Sequence, residues 1–188
     1  CGILYVKRLD GKSAAKQILK RYHKQKGRGQ DGFGFVSVKQ SGRADRVQRF
    51  TSEAEFEAAL LSVKSTQIMA HHRYPTSTPN LPEAAHPITV RHTELSSIWH
   101  VVHNGVIQNP DAMRQVHERL GYKYTTEVYT TFTAAQTKKE YYADVNYNDS
   151  EAFAIDLART LEGKQPLCES KGTIAYIAMQ TNQEGRVL

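Results

Sequence analysis

The sequence predicts an α+β fold of layered sheets and helices. Strand-like runs outnumber helical ones, and they fall in antiparallel-looking pairs. Each helical segment shows an apolar stripe at i, i+3, i+4 and i+7 spacing, as a helix lying on a sheet requires. At 188 residues the chain reads as one domain, long enough to bury about 70% of the surface its unfolded form exposes.

Taken in order, Cys1-Gly2-Ile3-Leu4-Tyr5-Val6 is too apolar for a tail and reads as a strand. Ala15, Ile18, Leu19 and Tyr22 then predict an amphipathic helix over 12–26, ended near Gly27. Residues 32–38 and 46–50 are β-rich runs separated by Gln40-Ser41-Gly42-Arg43, a hairpin-like pair. Ser52 and Glu55 form a capping box ahead of Phe56, Ala59, Leu60 and Val63, which marks a second helix. A strand over 66–72 is followed by a loop over 73–87 rich in Pro, Ser, Thr and Asn, then by strands near 87–92 and 97–103. Asn109 as N-cap, Pro110 at the first helical position and Gly121 as stop bound a third helix with a face of Met113, Val116, His117 and Leu120. Residues 122–148 carry no clear period. Ala154, Leu157, Ala158 and Leu161 mark a fourth helix, starting near 151 and stopping at Gly163, and 173–180 is an apolar strand.

Composition narrows the function classes. Lys and Arg outnumber Asp and Glu by 25 to 19, giving a net charge of +6, but the basic residues are scattered over Lys7–Arg28 and Lys138-Lys139. That pattern fits a solvated helix face better than a nucleic-acid surface. The two cysteines, Cys1 and Cys168, lie outside any metal-ligand spacing, and there is neither a secretory signal nor a run long enough to span a membrane. These features predict a cytoplasmic protein with no metal site. The paired His71 and His72 do not change this, because adjacent histidines on a strand face opposite ways. His86, His103 and Cys168 read as structural.

Cys1 carries the sharpest chemical signal. A thiol of pKa roughly 8.5 and an α-amine of roughly 7.7–8.0 on one residue make a compact nucleophile and base. Numbering from this cysteine implies removal of an initiator methionine or short propeptide. Three further segments accompany it in order: Arg28-Gly29-Gln30-Asp31-Gly32-Phe33-Gly34; His72-Arg73-Tyr74-Pro75-Thr76-Ser77-Thr78 with Ala85-His86-Pro87; and His103-Asn104-Gly105-Val106-Ile107-Gln108-Asn109. Asn148-Asp149-Ser150-Glu151 is a weaker fifth element.

In this order and spacing the segments resemble the class II, N-terminal-nucleophile glutamine amidotransferases, over most of the chain. The resemblance implies a four-layer αββα sandwich and hydrolysis of glutamine by Cys1, with no cofactor. It also implies an oxyanion hole from Asn104 and Gly105, an Arg73 grip on the glutamine α-carboxylate and an Asp149 contact to its α-ammonium. Arg28 and Gly29 would lie near the nucleophile, with Thr76, Ser77 and His86 forming the pocket loop. The chemistry asks for the same types: a tetrahedral oxyanion needs donors already aimed at it, and a guanidinium fork matches a carboxylate bidentately. The ammonia would pass to a separate synthase domain or subunit.

Two features depart from the family pattern. Tyr74 stands where one branch has tryptophan, and the interval from Asn104 to Asp149 is longer than usual, predicting an insertion at 125–147. Duller readings stay open beside each role. Asn104-Gly105 is also a turn signal, Asp149 or Ser150 can cap the fourth helix, and Arg73 can be a surface residue. Two other functions remain: a regulatory or binding module that has lost turnover, and an N-terminal-nucleophile amidase for another amide.

Overall fold

The computed structural model describes residues 1–75, 78–133 and 140–188. Its first sheet holds β1 (Gly2–Lys7), β2 (Gly32–Val38), β3 (Gln48–Phe50) and β4 (Gln67–Arg73), in the antiparallel order β1-β4-β2-β3. Alternation decides what each face does. Leu4, Phe33, Phe35, Ile68 and Ala70 point one way and bury α1 (Ala15–Gln25) and α2 (Glu53–Ser62) through Ile18, Leu19, Tyr22, Phe56 and Leu60. Ile3, Val36, Val38 and Met69 point the other way, onto Val102, Ile177 and Met179 of the second sheet.

That second sheet is β5 (Ile88–Val90), β6 (Ile98–Ile107) and, beyond the hairpin below, the final strand Gly172–Thr181, ordered with β6 in the middle. Its outer face, with Ile88, Trp99, Val101 and Ile107, packs on Phe153, Ile155 and Leu157 of the last helix and Met113 of α3 (Pro110–Arg119). The last helix, α4, runs Asp149–Leu161. Two helices, two face-to-face sheets and two helices make the αββα sandwich. Among the described residues no helix is long and apolar enough to cross a membrane.

Local signals explain most boundaries. Ser52 caps α2 by accepting from the Glu55 N–H at 3.3 Å. The lysines and arginine of α1, Lys16, Lys20, Arg21 and Lys24, all face solvent, as scattered charge on a helix predicts. Asn109 precedes α3 but does not cap it with its side chain; instead its amide bridges Glu169 O (3.0 Å) and Lys171 N (2.8 Å), tying the helix start to the strand 172–181.

The aperiodic stretch 122–148 differs most from the sequence reading. It contains β7 (Val128–Thr133) and β8 (Glu140–Asn146), an antiparallel pair with Val128 opposite Asn146 and a register shift at Thr130/Thr131; the final strand is therefore β9. Tyr-Thr-Thr-Phe-Thr has β propensity but no apolar alternation, so pairing between the two segments, not a local period, defines them. Lys138 and Lys139 of the expected insertion lie outside the described residues.

Candidate active site

Cys1 precedes β1 at the edge of the first sheet, with its Sγ against the Tyr74 peptide. The Tyr74 N–H donates to Sγ at 3.4 Å, and the thiol lies 3.5 Å from the Tyr74 carbonyl. Arg28, in the short 3-10 turn Lys26–Arg28, donates from Nε to the Cys1 carbonyl at 3.0 Å. The α-amine of Cys1 is pushed below its ordinary 8.0, first by burial and then by the Arg28 charge.

Two glycines allow this crowding. A Cβ on Gly2 would fall 1.9 Å from His72 Nε2, and one on Gly29 would fall 2.4 Å from the Arg73 carbonyl carbon and 2.7 Å from Tyr74 N. His72 fixes the arrangement from below. Its Nδ1 donates to Gly29 O at 2.8 Å and its Nε2 accepts from Gln25 at 2.9 Å, so the ring is neutral with its proton on Nδ1. Burial, the largest cause, lowers its pKa accordingly.

Arg73 ends β4 with its side chain 3% exposed. Three of its five N–H donors are engaged, by Pro79 O (2.9 Å), Thr78 O (3.0 Å) and the Thr78 hydroxyl. Burial lowers its pKa, while the carboxylates of Asp149 and Asp31 act in the opposite direction. Both acids are near enough for their charges to act on the guanidinium.

Asn104 and Gly105 continue β6 instead of forming a turn, opposite Ala175 and Ile174 of β9. Gly105 sits at φ +152, and a Cβ there would lie 1.8 Å from Thr173 O. Only glycine lets the two strands approach this closely. The preceding residue links the site to the space between the sheets. His103 O accepts from His71 Nε2 at 3.2 Å, and the His71 pKa is driven far down by burial, then by His72 and the Cys1 amine. His86 stacks on His71 with ring centres 4.0 Å apart, and its Nδ1 accepts from His103 N at 3.1 Å.

Asn148 to Glu151 are all engaged. Asn148 caps α4 by accepting from Ser150 N (3.0 Å), and donates to Ala84 O (2.7 Å). Asp149 Oδ2 accepts from the Ile107 N–H at 2.7 Å. Ser150 donates to His103 Nδ1 at 2.8 Å, while His103 Nε2 donates to Thr173 O at 3.1 Å. Glu151, 2% exposed, accepts from the backbone and hydroxyl of both Thr125 and Thr126 at 2.6–2.9 Å. One helix start thus anchors β6 and the turn ahead of β7.

No protein-family model matches the chain. The glutamine–fructose-6-phosphate aminotransferase (isomerizing) of Aeropyrum pernix is 28% identical over 169 residues, covering 89% of this chain and 26% of that protein. The protein of that name from Methanothermobacter thermautotrophicus is 28% identical over 188 residues, covering 100% of this chain and 29% of its own length. The chain thus spans less than a third of these relatives. Among solved structures, the allosteric regulatory enzyme of purine biosynthesis superimposes with a TM-score of 0.67 at 20% identity, over 96% of this chain and 35% of that one. Glutamine phosphoribosylpyrophosphate amidotransferase of B. subtilis gives 0.59 at 17% identity, over 95% and 35%.

The chain is similar to class II glutamine amidotransferases.

In this chain the fold gathers Cys1, Arg28, Gly29 and Arg73 around one peptide, Arg73–Tyr74, and the Asp149 charge acts on Arg73. Asn104 and Gly105 follow directly on His103, whose carbonyl accepts from His71, a ring on which the Cys1 amine acts. His86 is placed among buried rings between the sheets instead of at the nucleophile. Thr76 and Ser77 lie outside the described residues. Sequence reasoning missed the Tyr74 peptide, His72 and Gln25; the signal available was the glycine at 2 and 29, where a side chain would collide with them. Among the described residues His23, Glu53 and Glu57 form one group at metal-ligand spacing, but Glu53 pairs with Lys26 at 2.7 Å and His23 with Glu57 at 2.5 Å, which makes it an ion-pair network.

Proposed function

We propose that this chain hydrolyses glutamine to glutamate and ammonia with Cys1 as nucleophile, as a single glutaminase domain feeding a synthase domain or subunit. The α-amine takes the thiol proton, sulfur attacks the side-chain carboxamide carbon, and a tetrahedral oxyanion forms. Asn104 and the Gly105 N–H are its donors in this scheme. The amine then protonates the leaving nitrogen, ammonia departs, and water attacks the thioester, releasing glutamate and the thiol. An amine depressed by burial and Arg28 is unprotonated, and so able to act as base, at lower pH than a free one.

The observation that carries the reading is the joint placement of Arg73 and Asp149. Arg73 precedes the peptide that touches Sγ, and the Asp149 carboxylate acts on its guanidinium. A cation next to the peptide that touches the nucleophile, with an anion acting on it, suits a free α-amino acid, whose carboxylate and ammonium need both, over an internal amide. Thr78 and Pro79 hold Arg73 meanwhile, so the substrate carboxylate must displace the Thr78 oxygens to gain a bidentate contact. His86 serves by fixing His103, and Thr76 and Ser77, outside the described residues, are assigned to substrate binding on the resemblance. The free cysteines, Cys1 and Cys168, fit a cytoplasmic setting.

Intact-mass analysis after reaction with 6-diazo-5-oxo-norleucine, alongside coupled glutamate and ammonia assays, tests the proposal. One adduct on Cys1 and loss of turnover in Cys1→Ala are expected. An extra residue ahead of Cys1 should be nearly as damaging, since it converts the amine to an amide. Glutaminase activity surviving in Cys1→Ala would overturn the mechanism.

A further inference from the structure

A second cleft, of about 890 Å³, opens far from Cys1. The nucleophile sits on β1, at one edge of the first sheet; the cleft is walled by β3 at the opposite edge and by β5 at the edge of the second sheet. Its volume falls in the range of small-molecule sites.

The lining is strongly cationic. Arg43, Arg46, Arg49, Arg91 and Lys123 come from three separate segments, with Val47, Val90, Ile98 and Ile155 supplying apolar surface. Three acids share the wall: Asp45, Glu151 and Glu184. Glu151 is hydrogen-bonded to Thr125 and Thr126 while its charge, with that of Glu83, also acts on Arg49, and Asp45 accepts from the Arg46 backbone and faces Lys39 at 3.6 Å. By contrast, among the described residues Arg43, Arg46, Arg91 and Lys123 enter no ion pair. Arg49 spends Nη2 on Pro87 O at 2.7 Å, and its buried Nε has no hydrogen-bond partner. A desolvated guanidinium donor without an acceptor is costly unless a ligand completes it.

The positive charge converges on one place. His100 lines the cleft between β3 and β5, and its pKa is held near 4 by burial first and then by the charges of Arg91 and Arg49. Both guanidinium groups therefore lie close enough to act on a single ring. Two arginines lining one cleft match the oxygens of a phosphate, which accepts bidentate contacts from guanidinium groups.

We propose that this cleft binds a phosphorylated small molecule, with Arg49 and Arg91 on the phosphate and Arg43, Arg46 and Lys123 at the rim. A concave site this size, part cationic and part apolar, suits a compact phosphate ester better than a polymer backbone, which needs an open groove.

Isothermal titration of the full chain with inorganic pyrophosphate, against sodium chloride of matched ionic strength, tests this. Saturable one-to-one binding is expected in the millimolar range or tighter, weakened roughly tenfold or more in Arg46→Gln/Arg91→Gln. Both residues are exposed, so the melting temperature and glutaminase rate of that variant should match wild type. Arg49→Met should weaken binding further. Heat that never saturates, or equal affinity in the double variant, overturns the proposal. A single-stranded oligonucleotide that binds more tightly than pyrophosphate with the same arginine dependence overturns it too, and assigns the surface to nucleic acid.

Discussion

Replacing Gly29 by alanine adds one methyl group where the structure leaves no room. The new Cβ would lie 2.4 Å from the Arg73 carbonyl carbon, 2.6 Å from its oxygen and 2.7 Å from Tyr74 N, all backbone atoms. To reach ordinary contact the Arg73–Tyr74 peptide must retreat by about 1 Å, and displacements of that size cost about 10²-fold in rate when they misplace reacting groups. That peptide carries both the N–H on the Cys1 sulfur and the Arg73 side chain, so kcat and KM should both suffer. The strain adds about 1–3 kcal/mol of destabilisation, typical of an overpacked site. At about 2–4 °C per kcal/mol for a chain of this size, the melting temperature should fall by roughly 2–12 °C. Gly27→Ala is the matched control, because a Cβ there meets nothing within 4 Å. Glutaminase kinetics and thermal melts on the two variants measure the effect. Wild-type kcat/KM in Gly29→Ala, or an equal loss in Gly27→Ala, would contradict the packing argument.

The proposed site roles separate kinetically. Asn104→Ala should lower kcat by roughly 10²–10³ with KM little altered if its amide meets the oxyanion, whereas Arg73→Lys should raise KM and lower kcat/KM roughly tenfold or more; a pure KM effect at Asn104, or none at Arg73, would reassign the residue. Arg28→Gln removes a positive charge that disfavours the Cys1 ammonium, so the amine pKa should rise and the acid limb of kcat/KM, which climbs as the amine loses its proton, should move to higher pH. Added salt should shrink the difference between the two profiles by screening the Arg28 charge, and a limb that stays in place would remove Arg28 from the activation of the nucleophile.

Sequence alone determined the helices and most of the strands, because each has a local period: Ile18, Leu19 and Tyr22 on one stripe of α1, Phe33 and Phe35 on one side of β2. It also pointed to Cys1 as the candidate nucleophile, since a thiol and an amine on one residue are chemistry that needs no partner elsewhere in the chain. Boundaries at chemically special places were less legible. Asn104-Gly105 reads locally as a turn, yet β9 recruits it into a strand whose approach to Thr173 O tolerates only glycine. Asn109 reads as a cap, yet its amide is drawn to Glu169 and Lys171, sixty residues away in sequence. The pair β7 and β8 has no local signature because each strand is defined by the other. Only the tertiary structure could bring residues 1, 28, 29, 73 and 149 together, set His72 beneath Gly2 and Gly29, and leave Arg49 with a buried donor in a cleft on the far edge. Those facts rest on distances between segments remote in sequence, and a linear pattern carries no distances.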